Sequence, residues 1–343
     1  GRSGMFTEIS INNRRIRNRI ARSATNDHLG YADGRVSPAQ MREYEELATG
    51  GVGLIFTGHL CVDADHRADP FQNLVCDDRF LPGLAELAAA AHRGGAVIYG
   101  QISHAGPKGV NPVDFNSFDQ REIQAVADAF ISGAERVARA GFDGVQLHLA
   151  HGYLLSQVLD PLQNIRTDEY GGSRENRFRL VREIVAGIRT RCPGLSLAIK
   201  INANDSAFGS WDETLLYYVQ ELQREGVGAV EVSGNNFAEF PREACLYYLR
   251  EACLVKKQID IPVILVGGLY SRATMQQALD AGVDMVSLSR SLIAEPDFPV
   301  RLQKGEAETS RCLRCNQCFS VFHNMYRRCV LRPEEQQLRD SFG

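Results

Sequence analysis

Short apolar runs alternate with longer amphipathic stretches along nearly the whole chain. An apolar run of about four to eight residues bounded by turn residues reads as a buried strand. Apolar positions three or four apart read as a helix with one buried face. On that basis Arg19–Ala24 is a strand and Pro38–Ala48 a helix, with Ser37 as N-cap and Pro38 at the first helical position. Gly53–Gly58 is a second strand and Arg79–His92 its helix; Ala96–Gln101 is a third, followed by Gln120–Ala140, which Gly141 ends. Gly144–His148 precedes Glu175–Arg191, and Leu197–Ile201 precedes Asp212–Glu225. The last three pairs are Ala229–Ser233 with Arg242–Gln258, Pro262–Gly267 with Ser271–Ala281, and Asp284–Ser289 with Asp297–Lys304.

Strands buried on both faces and separated by helices make a parallel sheet covered by helices. Eight such units match the (β/α)8 TIM barrel, which needs about 250 residues plus insertions. A doubly wound open sheet is the competing arrangement, but no G-x-G-x-x-G follows an early strand. The fold class expected is therefore α/β: a single (β/α)8 barrel over residues 5–305, with a short cysteine-rich extension over 306–343. In a barrel, chemistry gathers where strands end and βα loops begin. The strand ends here carry Ser23-Ala-Thr-Asn26, Thr57-Gly58, Gln101-Ile-Ser-His104, His148/His151/Tyr153, Lys200-Ile-Asn202, Ser233-Gly234, Gly267-Gly268 and Ser289-Arg290. That is a polar ring at one mouth.

Composition narrows the classes. The 343 residues are 44% hydrophobic and 23% charged, ordinary for a globular protein, with a net charge of -4. That charge gives no reason to expect nucleic acid or an anionic membrane as partner. No apolar run is long enough to span a bilayer and no signal peptide opens the chain. Gly1-Arg-Ser-Gly4 before Met5 reads as a cloning remnant. The nine cysteines, an odd number, suggest a reducing, cytoplasmic compartment rather than a disulfide framework.

Several positions in the ring carry candidate chemistry. Gly267 and Gly268 let a ligand approach the backbone, and with Ser289 and Arg290 they suit a phosphate; a simple tight turn is the alternative. Gln101 can donate and accept toward a planar amide-like ring, or fill a network. Lys200 can place positive charge near a ring that becomes anionic on reduction, or sit against a barrel carboxylate. His148 and His151 could be metal ligands, donors to a carbonyl or anionic oxygen, or core histidines. Their spacing is not that of the helical H-E-x-x-H zinc motif, and no carboxylate nearby completes a metal set. Two imidazoles at a strand end, with Tyr153 to supply a proton, suit an oxyanion site. Near the end, Cys312-x2-Cys315-x2-Cys318 and a distant Cys329 suit a [4Fe-4S] cluster; zinc or plain reduced thiols remain open.

His148-Leu-Ala-His-Gly-Tyr-Leu-Leu-Ser-Gln157 and Asn164-Ile-Arg-Thr-Asp-Glu-Tyr-Gly-Gly-Ser-Arg-Glu-Asn-Arg177 resemble the Old Yellow Enzyme family of FMN-dependent ene-reductases, and the likeness runs from Phe6 to about Pro299. The resemblance implies a (β/α)8 barrel that takes hydride from NADH or NADPH and reduces an activated C=C bond. His148 and His151 would hold the substrate's carbonyl oxygen and Tyr153 would protonate the α carbon. Gln101 and Lys200 would contact the isoalloxazine, Ser23, Ala24, Thr25 and Gly58 its other edge, and Gly267, Gly268, Ser289 and Arg290 the phosphate. Asn26 stands where the family often has Cys or Thr, His28 where many members present a substrate-facing Tyr, and Pro107 where Arg is common, so Asn26 and His28 are expected to face the substrate. The tail resembles that of 2,4-dienoyl-CoA reductase and trimethylamine dehydrogenase, with one residue fewer before the third cysteine. It raises a second reading: the barrel part of a flavin and iron-sulfur electron-transfer enzyme working with a partner. The expected partners are otherwise a small unsaturated substrate and further copies of the chain.

Overall fold

The computed structural model describes residues 4–203, 211–319 and 329–333. Residues 1–3 of the opening segment, and 320–328 and 334–343 of the extension, lie outside the described residues.

Eight parallel strands close into a barrel: β1 (Ile20–Arg22), β2 (Leu54–Phe56), β3 (Val97–Ser103), β4 (Gly144–Leu149), β5 (Ser196–Asn202), β6 (Ala229–Ser233), β7 (Val263–Val266) and β8 (Met285–Leu288). Closure is made by β1, which pairs with β2 through Ala21 opposite Leu54 and with β8 through Ile20 opposite Val286. The open-sheet alternative is thereby excluded. An extra two-residue strand, Leu60–Cys61, pairs with the end of β3.

The helices are α1 (Pro38–Thr49), α2 (Leu81–Arg93), α3 (Gln120–Arg139), α4 (Leu154–Leu159), α5 (Arg174–Arg191), α6 (Trp211–Arg224), α7 (Leu249–Gln258), α8 (Arg272–Asp280), α9 (Arg290–Ala294) and α10 (Phe298–Gln303). Local chemistry sets their starts. Ser37 caps α1 in a capping box with Gln40, Asp119 caps α3 with Glu122, and Ser173 caps α5 through the Asn176 N–H.

The apolar residues fall into two clusters. The larger lies between helices and sheet; the smaller fills the barrel with Ala21, Leu54, Phe56, Tyr99, Ala198 and Ile264. Ile11 and Ile16 belong to that inner cluster. They come from an antiparallel hairpin, Ile9–Ile11 with Arg14–Ile16, that closes the barrel at the end opposite the polar mouth. Asn12 turns it at φ 50° and its Oδ1 accepts from Leu197 N–H at 3.2 Å.

Several elements depart from the pattern read along the chain. The hairpin, the Leu60–Cys61 strand, α4 and α9 were not foreseen, because each is too short for its period to stand out. The helix expected over Arg242–Gln258 begins only at Leu249. The segment before it lies on the end of β7 instead: Leu246 N–H donates to Gly268 O at 3.0 Å and Tyr247 N–H to Gly267 O at 3.2 Å.

Candidate active site

The polar strand ends converge on a cleft at the C-terminal mouth. Two cavities of about 630 and 660 Å3 share Ala24, His151, Lys200, Phe237, Ser289 and Phe319, so they form one continuous site.

One end is the histidine wall. His148 is the second-last residue of β4, buried at 4% exposure. Its Nδ1 accepts the Ala150 N–H at 3.3 Å. In the neutral ring the proton is then on Nε2, which leaves a donor for an incoming oxygen. His151 follows in the left-handed region, φ 64°, and Gly152 continues it at φ 77°. That conformation is costly for a side chain bearing Cβ, and such strain gathers at functional sites. It is held by His151 N–H donating to Asn202 Oδ1 at 3.1 Å and by Nε2 against Ser233 Oγ at 2.9 Å. The rings of His148 and His151 stand edge to face, 5.1 Å apart. Tyr153, the residue before α4, brings its ring within 5.1 Å of His148. Burial first, then neighbouring positive groups, keeps both imidazoles well below the usual histidine range. Burial pushes the Tyr153 phenol up to about 12. At neutral pH the wall therefore presents neutral imidazoles and a protonated phenol.

A third imidazole, His59, lines the same wall with its ring 5.4 Å from Tyr153 and 6.2 Å from His148. It lies just past Gly58 in an unremarkable loop, and nothing in its spacing marked it. Asn26 lines the cavity and donates from Nδ2 to Asp69 Oδ2 at 3.1 Å. His28 does not line it: only 1% exposed, it sits behind the wall with Nε2 3.1 Å from the same Asp69 oxygen.

The middle of the cleft rests on a buried polar chain. Gln101 Nε2 donates to Gln146 Oε1 at 2.9 Å, and Gln146 Nε2 to Glu231 Oε1 at 3.0 Å. Ser23 Oγ donates to Glu231 Oε2 at 2.9 Å and accepts from Lys200 Nζ at 2.9 Å. Lys200 Nζ lies 3.5 Å from Glu231 Oε1, with both side chains at most 2% exposed. Lys200 thus pairs with a barrel carboxylate, as the second expectation had it, and also lines both cavities. Burial lowers its pKa while Glu231 opposes the shift. Gln146 and Glu231 were missed as site residues; the signal was a single polar residue inside each apolar run Gly144–His148 and Ala229–Ser233.

The other end is the Gly-Gly and arginine wall. Gly267 and Gly268 take φ 111° and 72°. A Cβ at Gly268 would lie 2.7 Å from Leu246 N. Ser289, which follows β8, bonds Thr25 at the end of the neighbouring β1 at 2.9 Å. Arg290 opens α9 and donates to Tyr247 Oη at 3.0 Å and Asn316 Oδ1 at 2.6 Å. The buried Ser287 Oγ on this wall has no partner among the described residues. An unpartnered hydroxyl, bare glycines and a guanidinium fit the phosphate end of FMN, with Lys200 and Gln101 along the cleft from it. Gly58 lies behind the opposite wall, where an added Cβ would stand 3.0 Å from Thr25 O.

Behind Arg290, a smaller cavity of about 330 Å3 is lined by Cys312, Cys315, Cys318 and Cys329 together. None of the four is in a disulfide, and Cys318 also lines the histidine cavity.

These features define a flavin-oxidoreductase type of barrel, and the chain belongs to the NADH:flavin oxidoreductase / NADH oxidase family, whose model matches residues 4–115 and 109–309. Among its relatives, an NADH oxidase of Thermoanaerobacter brockii is 33% identical over 96% of this chain and 56% of its own length. An NADPH dehydrogenase of Bacillus licheniformis is 31% identical over 86% of this chain and 92% of its own. The chain thus spans little more than half of the first relative and nearly all of the second. A solved 2-naphthoyl-CoA reductase in complex with 2-naphthoyl-CoA shares the fold at TM-score 0.87, with 24% identity over 98% of this chain and 58% of that one.

Proposed function

We propose that the chain takes hydride from NADH or NADPH onto FMN and reduces a C=C bond activated by a carbonyl or related group. The observation that carries this reading is the placement of His148, His151 and Tyr153 on one wall of a cleft that runs to Gly267, Gly268 and Arg290. Gly267, Gly268, Ser289 and Arg290 would hold the FMN phosphate, and Gln101, Lys200, Ser23, Ala24 and Thr25 the ring. FMN held there would supply the hydride chemistry. The chain's own part follows from the wall. His148 Nε2–H and the His151 ring hold the substrate oxygen and stabilise the negative charge that grows on it. Tyr153, protonated at neutral pH, gives its proton to the α carbon. Phe237 and Phe319 add apolar lining to the cleft, their rings 5.9 Å apart.

The test is a visible spectrum of oxygen-free protein before and after NADH or NADPH, then after an enone. Bleaching of a flavin band and its return with the enone supports the reading; a colourless protein that fails to take up FMN sinks it.

A second reading rests on the cysteine cavity. Four thiols gathered around one space suit ligation of a [4Fe-4S] cluster. The chain would then be the barrel part of an electron-transfer enzyme. Iron and sulfide near four equivalents each would support this; their absence after anaerobic reconstitution would remove it.

A further inference from the structure

Arg290 stands between two cavities. It lines the Gly-Gly end of the cleft and also the smaller space ringed by Cys312, Cys315, Cys318 and Cys329. Two groups grip its guanidinium. Tyr247 Oη accepts from Nη2 at 3.0 Å, and Asn316 Oδ1 accepts from Nη1 at 2.6 Å. Tyr247 belongs to the barrel: its N–H donates to Gly267 O, and its ring stacks on Phe240 at 3.9 Å. Asn316 comes from the extension, one residue after Cys315. The barrel therefore does not hold Arg290 by itself.

The grip leaves Arg290 ready for an anion. A guanidinium carries five N–H donors. Two are engaged, so three remain for a ligand. Neither gripping group is a carboxylate, so the positive charge stays available to a phosphate. The aromatic rings of Phe319 and Tyr270 flank the guanidinium, 5.2 and 5.5 Å from it. Fixing a long side chain before the ligand arrives removes that ordering cost from binding.

Asn316 is itself held for this task. It takes φ 60°, a left-handed conformation that asparagine tolerates better than most residues. Its carbonyl accepts the Phe319 N–H at 3.0 Å. Two residues earlier, Arg314 is also left-handed at φ 55°, lies 3.9 Å over the Tyr270 ring and donates to Arg242 O at 3.1 Å. Tyr270 lines the Gly-Gly end of the cleft, so the cysteine loop is fastened to the wall that Arg290 serves.

We propose that Asn316 is a positioning residue for the phosphate end of the flavin site: it orients Arg290, so that the cysteine extension completes a cofactor site otherwise built by the barrel. The proposal rests on the FMN reading of the same cleft.

The test measures dissociation constants of FMN and riboflavin by flavin fluorescence, on the full chain freed of flavin. Riboflavin lacks only the phosphate. The ratio of the two constants, riboflavin over FMN, therefore reports the phosphate end and cancels general losses of folding. Asn316→Gly keeps the left-handed backbone and removes the amide; it should lower the ratio at least 5-fold. In an Arg290→Met background the same change should move the ratio less than 2-fold, because Asn316 acts through Arg290. A ratio in Asn316→Gly that rises or stays within 2-fold of the parent overturns the proposal, and so does an equal drop in the Arg290→Met background. Either result leaves the FMN reading intact. A parent that binds neither flavin sinks the FMN reading and the Asn316 proposal with it. If Asn316→Gly does not fold, Asn316→Asp keeps the size and sets a carboxylate against Arg290; an unchanged ratio there overturns the proposal as well.

Discussion

At the scale of single residues, the cleft is made of groups whose environment fixes their protonation. Tyr153 keeps its proton because burial pushes its phenol up to about 12. Tyr153→Phe should therefore slow reoxidation of the reduced enzyme by an enone by about 10²-fold or more, the usual size of a general-acid contribution. Reduction by NAD(P)H needs no such proton and should change little. Stopped-flow measurement of both half-reactions checks this, and equal slowing of the two would remove Tyr153 from proton donation. Glu231 acts differently, by balancing Lys200 in the barrel interior. Glu231→Gln leaves that ammonium without its carboxylate and should cost about 3 kcal/mol of stability. Chemical denaturation measures the loss. Adding Lys200→Met should return part of it, because an apolar side chain needs no partner there; no recovery would show that the pair is not the source.

At the scale of elements, two short pieces do more than their length suggests. The hairpin Ile9–Ile16 puts Ile11 and Ile16, both fully buried, into the barrel's inner core. Ile11→Ala should cost about 2–5 kcal/mol, the range for emptying such a site, read as a lower denaturation midpoint. The β7 end is constrained from the other side. Gly268 is at φ 72°, and the backbone of Cys245 and Leu246 lies against it. Gly268→Ala should destabilise by more than about 1 kcal/mol, since the φ is unfavourable and the neighbour is main chain that cannot swing away. The same variant should bind FMN more weakly, which equilibrium dialysis would show; unchanged affinity would take Gly268 out of the phosphate site.

At the scale of the whole molecule, four buried imidazoles share one sign of shift. His59 is lowered to about 4 and His104 to about 3, while His148 and His151 lie well below the ordinary value, burial being the main cause in each. In the unfolded chain these rings titrate near 6.5. Between those values the unfolded state binds more protons, so stability rises with pH there and is lost as pH falls. His59 alone accounts for roughly 3 kcal/mol of that loss. The melting temperature should be nearly flat from pH 8 to 6.5 and then drop by at least about 5 °C by pH 4.5. A flat profile down to pH 4.5 would mean that these rings stay solvated in the folded state. No helix among the described residues is long and apolar enough to cross a membrane.

The sequence by itself determined the elements whose physics is local. The alternation of apolar runs and amphipathic stretches fixed eight βα units, because strand burial and helix amphipathicity are written in the spacing of side chains. Ser37 could be read as a helix start for the same reason. His148, His151, Tyr153, Gly267, Gly268 and Arg290 were legible because a barrel gathers its strand ends at one mouth, whatever their separation in the chain. What the spacing did not contain was decided only by tertiary structure. The Gln101–Gln146–Glu231–Ser23–Lys200 chain joins five strand positions that meet only after closure. His28, placed by resemblance before the substrate, turned to Asp69 because a left-handed φ of 55° and a buried carboxylate set its direction. His59 looked like any loop residue until folding set it in the cleft wall and buried its Nε2 with no partner among the described residues. Period and propensity act over a few residues; desolvation and cross-barrel contact exist only once the chain has closed.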